Sequence, residues 1–264
     1  MNDLRAILES LARGDIDVEE AVRRIRLFAI ENIDGIVNYD LGRFIRRDVP
    51  EIVFGEGKDT ATLESIIRKI TPTIGRLIIS RLRDDQIEFL KNLAVDGITI
   101  DINDVGRIAV VRLEGTRVPE YSCGVGIVTG GTADIRVAEE AKTIVMEMGC
   151  RVITLYDVGI AGLHRVLEAV KRLKEEDVDV AIVVAGMEGA LPSIVASLLD
   201  VPVIGVPTSV GYGIGGGGVS ALYSMLQACP LGLAVVNIDN GINAGIVASL
   251  IGRRVSLYRS KRQL

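Results

Sequence analysis

The run "VDVAIVVAGMEGALPSIVASLLDVPVIGVPTS", Val178–Ser209, decides the fold. It opens on an unbroken apolar strand pattern, "VDVAIVVAG", and closes on another, "PVIGVPTS". Between them "ALPSIVASLLD" has the length and composition of a helix. A strand that is apolar on both sides is covered on both sides, which is the signature of a parallel sheet with helices on its two faces. The intervening helix supplies the crossover that parallel neighbours need.

The same rhythm continues in both directions. Upstream, "GVGIVTGG" precedes the amphipathic "DIRVAEEAKTIVMEMG", and "CRVITLYDVG" precedes "GLHRVLEAVKRLKEED". Downstream, the helix "VSALYSMLQAC" leads to "GLAVVNID", and "NAGIVASLIGRR" follows. Five strand-helix repeats predict a doubly wound parallel α/β sheet over residues 120–264, with right-handed crossovers. Residues 1–119 are more polar and predict a smaller α/β or α+β domain. There, residues 3–13, 18–31, "ATLESIIRKI" and "DDQIEFLKNLA" have helical periodicity, and "GRLIIS", "GITIDI" and "RIAVVRL" read as strands.

Composition narrows the function classes. With 48% hydrophobic and 25% charged residues, the 264-residue chain can bury a sizeable core. A net charge of −5 and a pI near 5.2 argue against a dedicated nucleic-acid binder. The N-terminal "MNDLRAILESLARGDIDVEE" has no signal-peptide apolar region, and Val201–Ile238, although free of charge, is broken by Pro202, Pro207, Pro230 and a glycine cluster. The expectation is a cytoplasmic protein without a membrane span, with the uncharged stretch buried and feeding a subunit interface of a homo-oligomer. The basic C-terminal "RRVSLYRSKRQL" reads as a frayed, solvated tail. Three cysteines, Cys123, Cys150 and Cys229, lack zinc spacing, and their odd number opposes a disulfide framework. Cys123 and Cys150 flank strand starts and read as structural.

Ligands of parallel sheets bind at the carboxyl ends of strands, and the unusual residues gather there. Gly130, Gly131, Thr132 and Asp134 form "TGGTAD", where glycines and a helix start suit a phosphate, or make an ordinary capped turn. Asp157 follows the next strand, and His164, the sole histidine, lies early in the next helix. Its ordinary pKa near ~6.5 suits general-acid work, although a surface or capping role is equally open. Glu188 sits between glycines in "GMEGALPS", and reads as a pocket carboxylate in preference to a helix-start residue. Thr208 and Ser209, candidates to hold a phosphate or carboxylate, precede the glycine-rich "VGYGIGGGG", which reads as a lid or as a loose surface loop. Asn237, Asp239 and Asn240 complete the set of substrate-binding candidates. Cys229, before Pro230, is by its position either a small core residue or a nucleophile that needs activation by other groups.

Several of these segments in this order resemble one family. "GTADIRVAEEA", "YDVGIAGLHR", "GMEGALPSIVASL", "PVIGVPTSVGYG" and "VVNIDNG" look like the LarB family, as does the upstream "YDLGRFIRRDVPEIVFGEGK". The C-terminal half is also similar, more distantly, to the PurE class of aminoimidazole ribonucleotide carboxylases and mutases. Where those enzymes have GSxSD and SAHR, this chain has Gly130–Gly131–Thr132–Ala133–Asp134 and Gly162–Leu163–His164–Arg165. The resemblance implies a PurE-like domain and a specific reaction. Nicotinic acid adenine dinucleotide is carboxylated at C5 of its pyridinium ring, and its phosphoanhydride is hydrolysed. The products are pyridinium-3,5-biscarboxylic acid mononucleotide, a nickel-pincer cofactor precursor, and AMP. By the same resemblance Cys229 matches the family's covalent nucleophile and Glu188 its catalytic base. Asp157, Asp239 and His164 are candidates to position the hydrolytic water. CO2 or bicarbonate is the co-substrate, Mg2+ is the expected cofactor without a tightly bound organic group, and PurE-like cores imply octamers. Two other readings stay open: a PurE-like purine enzyme, which needs no covalent thiol, and a nucleotide-binding module without catalysis.

Overall fold

The computed structural model describes residues 2–25, 30–33, 37–40 and 49–262. Contacts divide the chain into two units, Met1–Ile102 with Ala109–Thr116, and Asn103–Ile108 with Arg117–Leu264.

In the first unit, α1 (Asn2–Ala12) and α2 (Val18–Ile25) are followed by the antiparallel pair β1 (Ile30–Ile33) and β2 (Val37–Asp40). The helix expected over 18–31 therefore ends earlier, because Ile30 and Glu31 pair with Asp40 and Tyr39 as a strand. The segment Leu41–Asp48 of the family-like stretch lies outside the described residues. The unit's four-stranded sheet runs in the order β3 (Ile52–Phe54), β4 (Arg76–Ser80), β6 (Ile108–Leu113), β5 (Ile98–Asn103). Its β3–β4 pair is parallel and its β4–β6 pair antiparallel. Leu63, Ile66, Ile67 and Ile70, at helical spacing on α3 (Thr60–Ile74), are fully buried in one cluster with Leu77, Ile79, Ala109 and Val111 of the sheet. The helix α4 (Asp84–Asn92) matches "DDQIEFLKNLA".

The second unit is the doubly wound sheet. Its strands are β7 (Gly124–Thr129), β8 (Arg151–Leu155), β9 (Val180–Ala185), β10 (Val203–Pro207) and β11 (Leu233–Val235). They are all parallel and lie in the order β11-β10-β9-β7-β8. The helices are α5 (Ile135–Glu147), α6 (Leu163–Glu175), α7 (Leu191–Leu198), α8 (Val219–Leu226) and α9 (Gly241–Arg262). Alternation along β9 shows why the strand had to be apolar on both sides. Val180, Ile182 and Val184 join a cluster with α5 and α9, while Ala181, Val183 and Ala185 join one with α6, α7 and α8.

Two expectations are overturned and a third is met only in part. Cys123 and Cys150 form a disulfide, with Cα atoms 5.1 Å apart. The register explains it: Gly124 pairs with Arg151, so the residues just before them stand opposite each other on adjacent strands. The basic C-terminus is not a frayed tail, since α9 continues to Arg262. Arg253 is buried with its guanidinium 4.5 Å from the centre of the Tyr121 ring, and Arg259 lies 2.7 Å from the buried carboxylate of Asp179. The uncharged Val201–Ile238 stretch is buried only in part: β10 is, but Tyr212, Ile214, Tyr223, Leu226 and Leu231 are exposed on this chain. Among the described residues no helix is long and apolar enough to cross a membrane.

Candidate functional site

In a doubly wound sheet the crevice opens beyond the carboxyl ends of the strands where the strand order reverses. Here that point lies between β7 and β9. The loops that leave these two strands line a cleft of about 250 Å3, with Gly130, Gly131, Asp134, Gly186, Met187 and Glu188 among its walls. Small-molecule sites usually enclose roughly 300–1,000 Å3, so one chain's cleft is small for a dinucleotide.

Asp134 organises the β7 side. It is 4% exposed, its Oδ2 accepts the Gly131 N–H at 2.9 Å, and its Oδ1 accepts the Thr208 hydroxyl at 2.6 Å. Burial pushes its carboxyl above the usual carboxylate range. Hydrogen bonds from Thr208 and Gly131 oppose that shift, and the charge of Asp239 adds to it. Asp239 Oδ1 in turn accepts the Ser209 N–H at 2.9 Å, and its own N–H donates to the Pro207 carbonyl at 2.8 Å. The expected phosphate residues Asp134, Thr208 and Ser209 are thus brought together with Asp239, with Asp134 and Thr208 partnered to each other. Thr132 is exposed beside them.

The "GMEGA" turn follows from packing. A Cβ on Gly186 would fall 2.3 Å from the Val210 carbonyl oxygen and 2.6 Å from Thr208 Oγ1. Met187 adopts φ 54°, and its N–H donates to the Val210 carbonyl at 3.0 Å. Glu188 is carried at the tip of this turn, on the wall of the cleft but exposed. The expectation of a carboxylate already shielded from water is therefore corrected: the glycines around Glu188 serve backbone packing and leave its side chain in solvent.

On the β8 side Thr129 Oγ1 accepts the Asp157 N–H at 3.0 Å, and Asp157 sits at φ 58°. Arg165 Nη1 donates to the Asp157 carbonyl at 2.8 Å and lies 3.2 Å from its carboxylate. Sequence reasoning placed Arg165 in a motif without giving it a role. Its signal was a guanidinium adjoining the sole histidine at the first turn of α6. His164 itself is exposed. Tyr156, also unassigned from sequence, donates to Glu139 of α5, and burial together with that hydrogen bond pushes its phenol upward. The exposed Asn237 accepts the Ile238 N–H, and Asn240 accepts the Asn243 N–H at 2.9 Å as α9 begins, so both are engaged in local turns.

Cys229 is a free, exposed thiol in the turn from α8 to β11. That turn lies at the amino end of the sheet, because Leu233 of β11 pairs with Val203, the first residue of β10. From Val203 to Pro207 a strand advances about 13 Å at 3.3 Å per residue, and Glu188 lies beyond the far end. One chain therefore does not bring Cys229 to Glu188. Among the described residues, no three His, Cys, Asp or Glu side chains converge as metal ligands.

Residues 30–113 match the LarB/PurE-like N-terminal domain, and residues 124–258 match AIR carboxylase. An uncharacterized protein of Methanocaldococcus jannaschii is 42% identical over 95% of this chain and 97% of its own length. The N5-carboxyaminoimidazole ribonucleotide mutase of the same organism is 38% identical over 46% of this chain and 74% of its own. The mutase of Thermotoga maritima is 36% identical over 52% of this chain and 84% of its own. Among solved structures, PurE from Treponema denticola is similar over 53% of this chain and 92% of that chain, at 18% identity and a TM-score of 0.37. With both domains matched in order along one chain, and a relative alike from end to end, this protein belongs to the LarB family and carries a PurE-like C-terminal domain.

Proposed function

We propose that this chain carboxylates nicotinic acid adenine dinucleotide at C5 of the pyridinium ring and hydrolyses its phosphoanhydride, releasing AMP. The observation that carries the reading is the union of the LarB N-terminal domain with an AIR-carboxylase domain whose strand-end cleft has Glu188 on its wall. A pyridinium C5 is electron-poor and does not attack CO2. Addition of the Cys229 thiolate at C4 forms a C–S bond, neutralises the ring and turns C5 into an enamine carbon. The C5 electron pair then forms a bond to CO2, supplied from bicarbonate. Glu188 removes the C5 proton and re-forms the enamine. The ring nitrogen's electron pair expels the thiolate and restores the aromatic pyridinium. Water cleaves the phosphoanhydride in a separate step.

Because Cys229 lies at the opposite end of the sheet from Glu188, the reading requires the thiol of a second copy. The exposed Tyr223, Leu226 and Leu231 around that thiol are the kind of apolar surface a homo-oligomer covers. An octamer is the assembly proposed here. Mg2+ is held in such sites by one or two carboxylates together with substrate phosphates rather than by a protein cage; it would shield the phosphate charge, and no step is assigned to it.

The test mixes purified protein with nicotinic acid adenine dinucleotide, Mg2+ and 13C-bicarbonate. AMP and a labelled, doubly carboxylated pyridinium mononucleotide are expected by mass analysis. Unlabelled products would overturn the reading. A second reading, aminoimidazole ribonucleotide carboxylation or mutation, is favoured by the 38% identity to a mutase over the C-terminal half. Turnover of that ribonucleotide, insensitive to loss of Cys229, would establish it instead.

A further inference from the structure

The loop Gly211–Gly218 packs closely at Gly211 and Gly218 and is held at the Ile214 carbonyl, which accepts the Ser220 hydroxyl at 2.8 Å, while Gly213, Gly216 and Gly217 face open space. A Cβ on Gly211 would lie 2.7 Å from the Gly215 carbonyl oxygen, and one on Gly218 would lie 2.7 Å from the Thr208 carbonyl oxygen. Cβ atoms on Gly213, Gly216 and Gly217 would meet nothing within 4 Å. Gly213, Gly217 and Gly218 have φ of 59°, 75° and 79°, a region in which glycine is at ease and other residues are strained. This segment leaves directly from Val210, which lines the cleft, and Gly215 lies beside Met187, the neighbour of Glu188. It carries two large side chains in solvent, Tyr212 at 79% exposure and Ile214 at 96%. The strand ends beneath it are acidic, with Asp134, Asp157, Glu188 and Asp239, and the guanidinium of Arg165 is engaged by Asp157. An exposed aromatic ring on a glycine-hinged loop, above an acidic cleft, suits a flat cation.

We infer that Gly211–Gly218 is a lid and that Tyr212 stacks on the cationic heteroaromatic ring of the bound ligand, an inference that rests on the pyridinium substrate proposed above. Closure covers the exposed Glu188 with Tyr212 and Ile214 and excludes water from the proton it removes.

The chain contains no tryptophan, so Tyr212→Trp places a sole indole on the lid. The electron-poor pyridinium quenches indole emission on stacking. Saturable quenching by nicotinic acid adenine dinucleotide and by nicotinic acid mononucleotide, with none by AMP, is expected. Tyr212→Phe should bind the dinucleotide within about 2-fold of the unsubstituted chain by calorimetry, and Tyr212→Leu about 3- to 30-fold more weakly. Binding by calorimetry without quenching overturns the lid and leaves the substrate reading standing. Unchanged affinity in Tyr212→Leu together with a smaller assembly by light scattering overturns it too, and makes Tyr212 an interface residue. No binding of the dinucleotide by the unsubstituted chain overturns the substrate reading, and the stacking role with it.

Discussion

The hydroxyl of Thr208 donates to Asp134 Oδ1 at 2.6 Å, joining the end of β10 to the first turn after β7 across the mouth of the sheet. Both residues are buried. Both carboxylate oxygens accept, since Oδ2 takes the Gly131 N–H. Thr208→Val removes the donor, keeps the shape and leaves a buried carboxylate with one bond fewer. A loss of about 1–3 kcal/mol in denaturant unfolding is expected. Asp134→Asn replaces one of the two acceptor oxygens with an NH2, which Thr208 can accept only by turning its own hydroxyl proton away to another partner.

The raised pKa of Asp134 sets a pH dependence. A carboxyl with a higher pKa in the folded than in the unfolded chain holds its proton longer when folded. The folded state then binds more protons between the ordinary carboxylate pKa and the raised one, and stability falls as pH rises through that window. Asp134→Asn removes this contribution. Its stability should decline less than that of the unsubstituted chain across the same window, as read from urea midpoints. An equal decline in both would assign the effect to other groups.

Glycines of the site separate into those seated against backbone and those in open space. Gly186→Ala forces a Cβ to 2.3 Å from the Val210 carbonyl oxygen and should cost more than about 2 kcal/mol or displace the Glu188 turn. Gly216→Ala, at φ −62° with nothing within 4 Å, should leave thermal stability unchanged within about 0.5 kcal/mol. Equal effects at the two positions would contradict the packing described here.

The alternation of strands and helices from Gly124 onward was legible because the central strands β7, β9 and β10 are buried along their whole length and are separated by segments of helical length and period. The cleft's position followed from that pattern, since glycines and polar residues stop the apolar runs at the carboxyl ends. What the sequence does not carry is register and side. Nothing local says that Cys123 and Cys150 stand opposite each other, because that depends on which strands are neighbours. Glu188 reads as buried from its apolar surroundings, yet the turn is held by backbone contacts at Gly186 and Gly189, which leave its side chain outside. Three-residue strands such as β3 are too short for a period to show.

The disulfide gives a prediction of its own. It closes a 27-residue separation that contains α5 and ties the starts of β7 and β8. Cross-links of this span stabilise by about 2–4 kcal/mol, chiefly by restricting the unfolded chain. Thiol titration of the native oxidised protein should find one reactive group, Cys229. Reductant, or Cys123→Ser with Cys150→Ser, should lower the urea midpoint by a corresponding amount without altering Cys229 reactivity. Three titratable thiols in protein purified without reductant would show that the bond does not form.

The separation of Glu188 from Cys229 gives the sharpest test of the proposed chemistry. Each variant, Glu188→Gln and Cys229→Ala, should be inactive alone, because one lacks the base and the other the nucleophile. If each site takes its carboxylate from one copy and its thiol from another, a mixed assembly contains sites with both groups intact. At random mixing of equal amounts, about one site in four pairs a Glu188-bearing chain with a Cys229-bearing one. Dissociating and reassembling the two variants together should therefore restore carboxylation to about a quarter of the unsubstituted rate. A chain carrying both substitutions, mixed with the unsubstituted one, controls for assembly. If both groups came from the same copy, every site in the first mixture would lack one of them, and no activity would return. That result, with assembly verified by mass, would overturn the shared site, since placing both groups in one copy's site requires a rearrangement of the sheet ends that the parallel register of β10 and β11 does not permit.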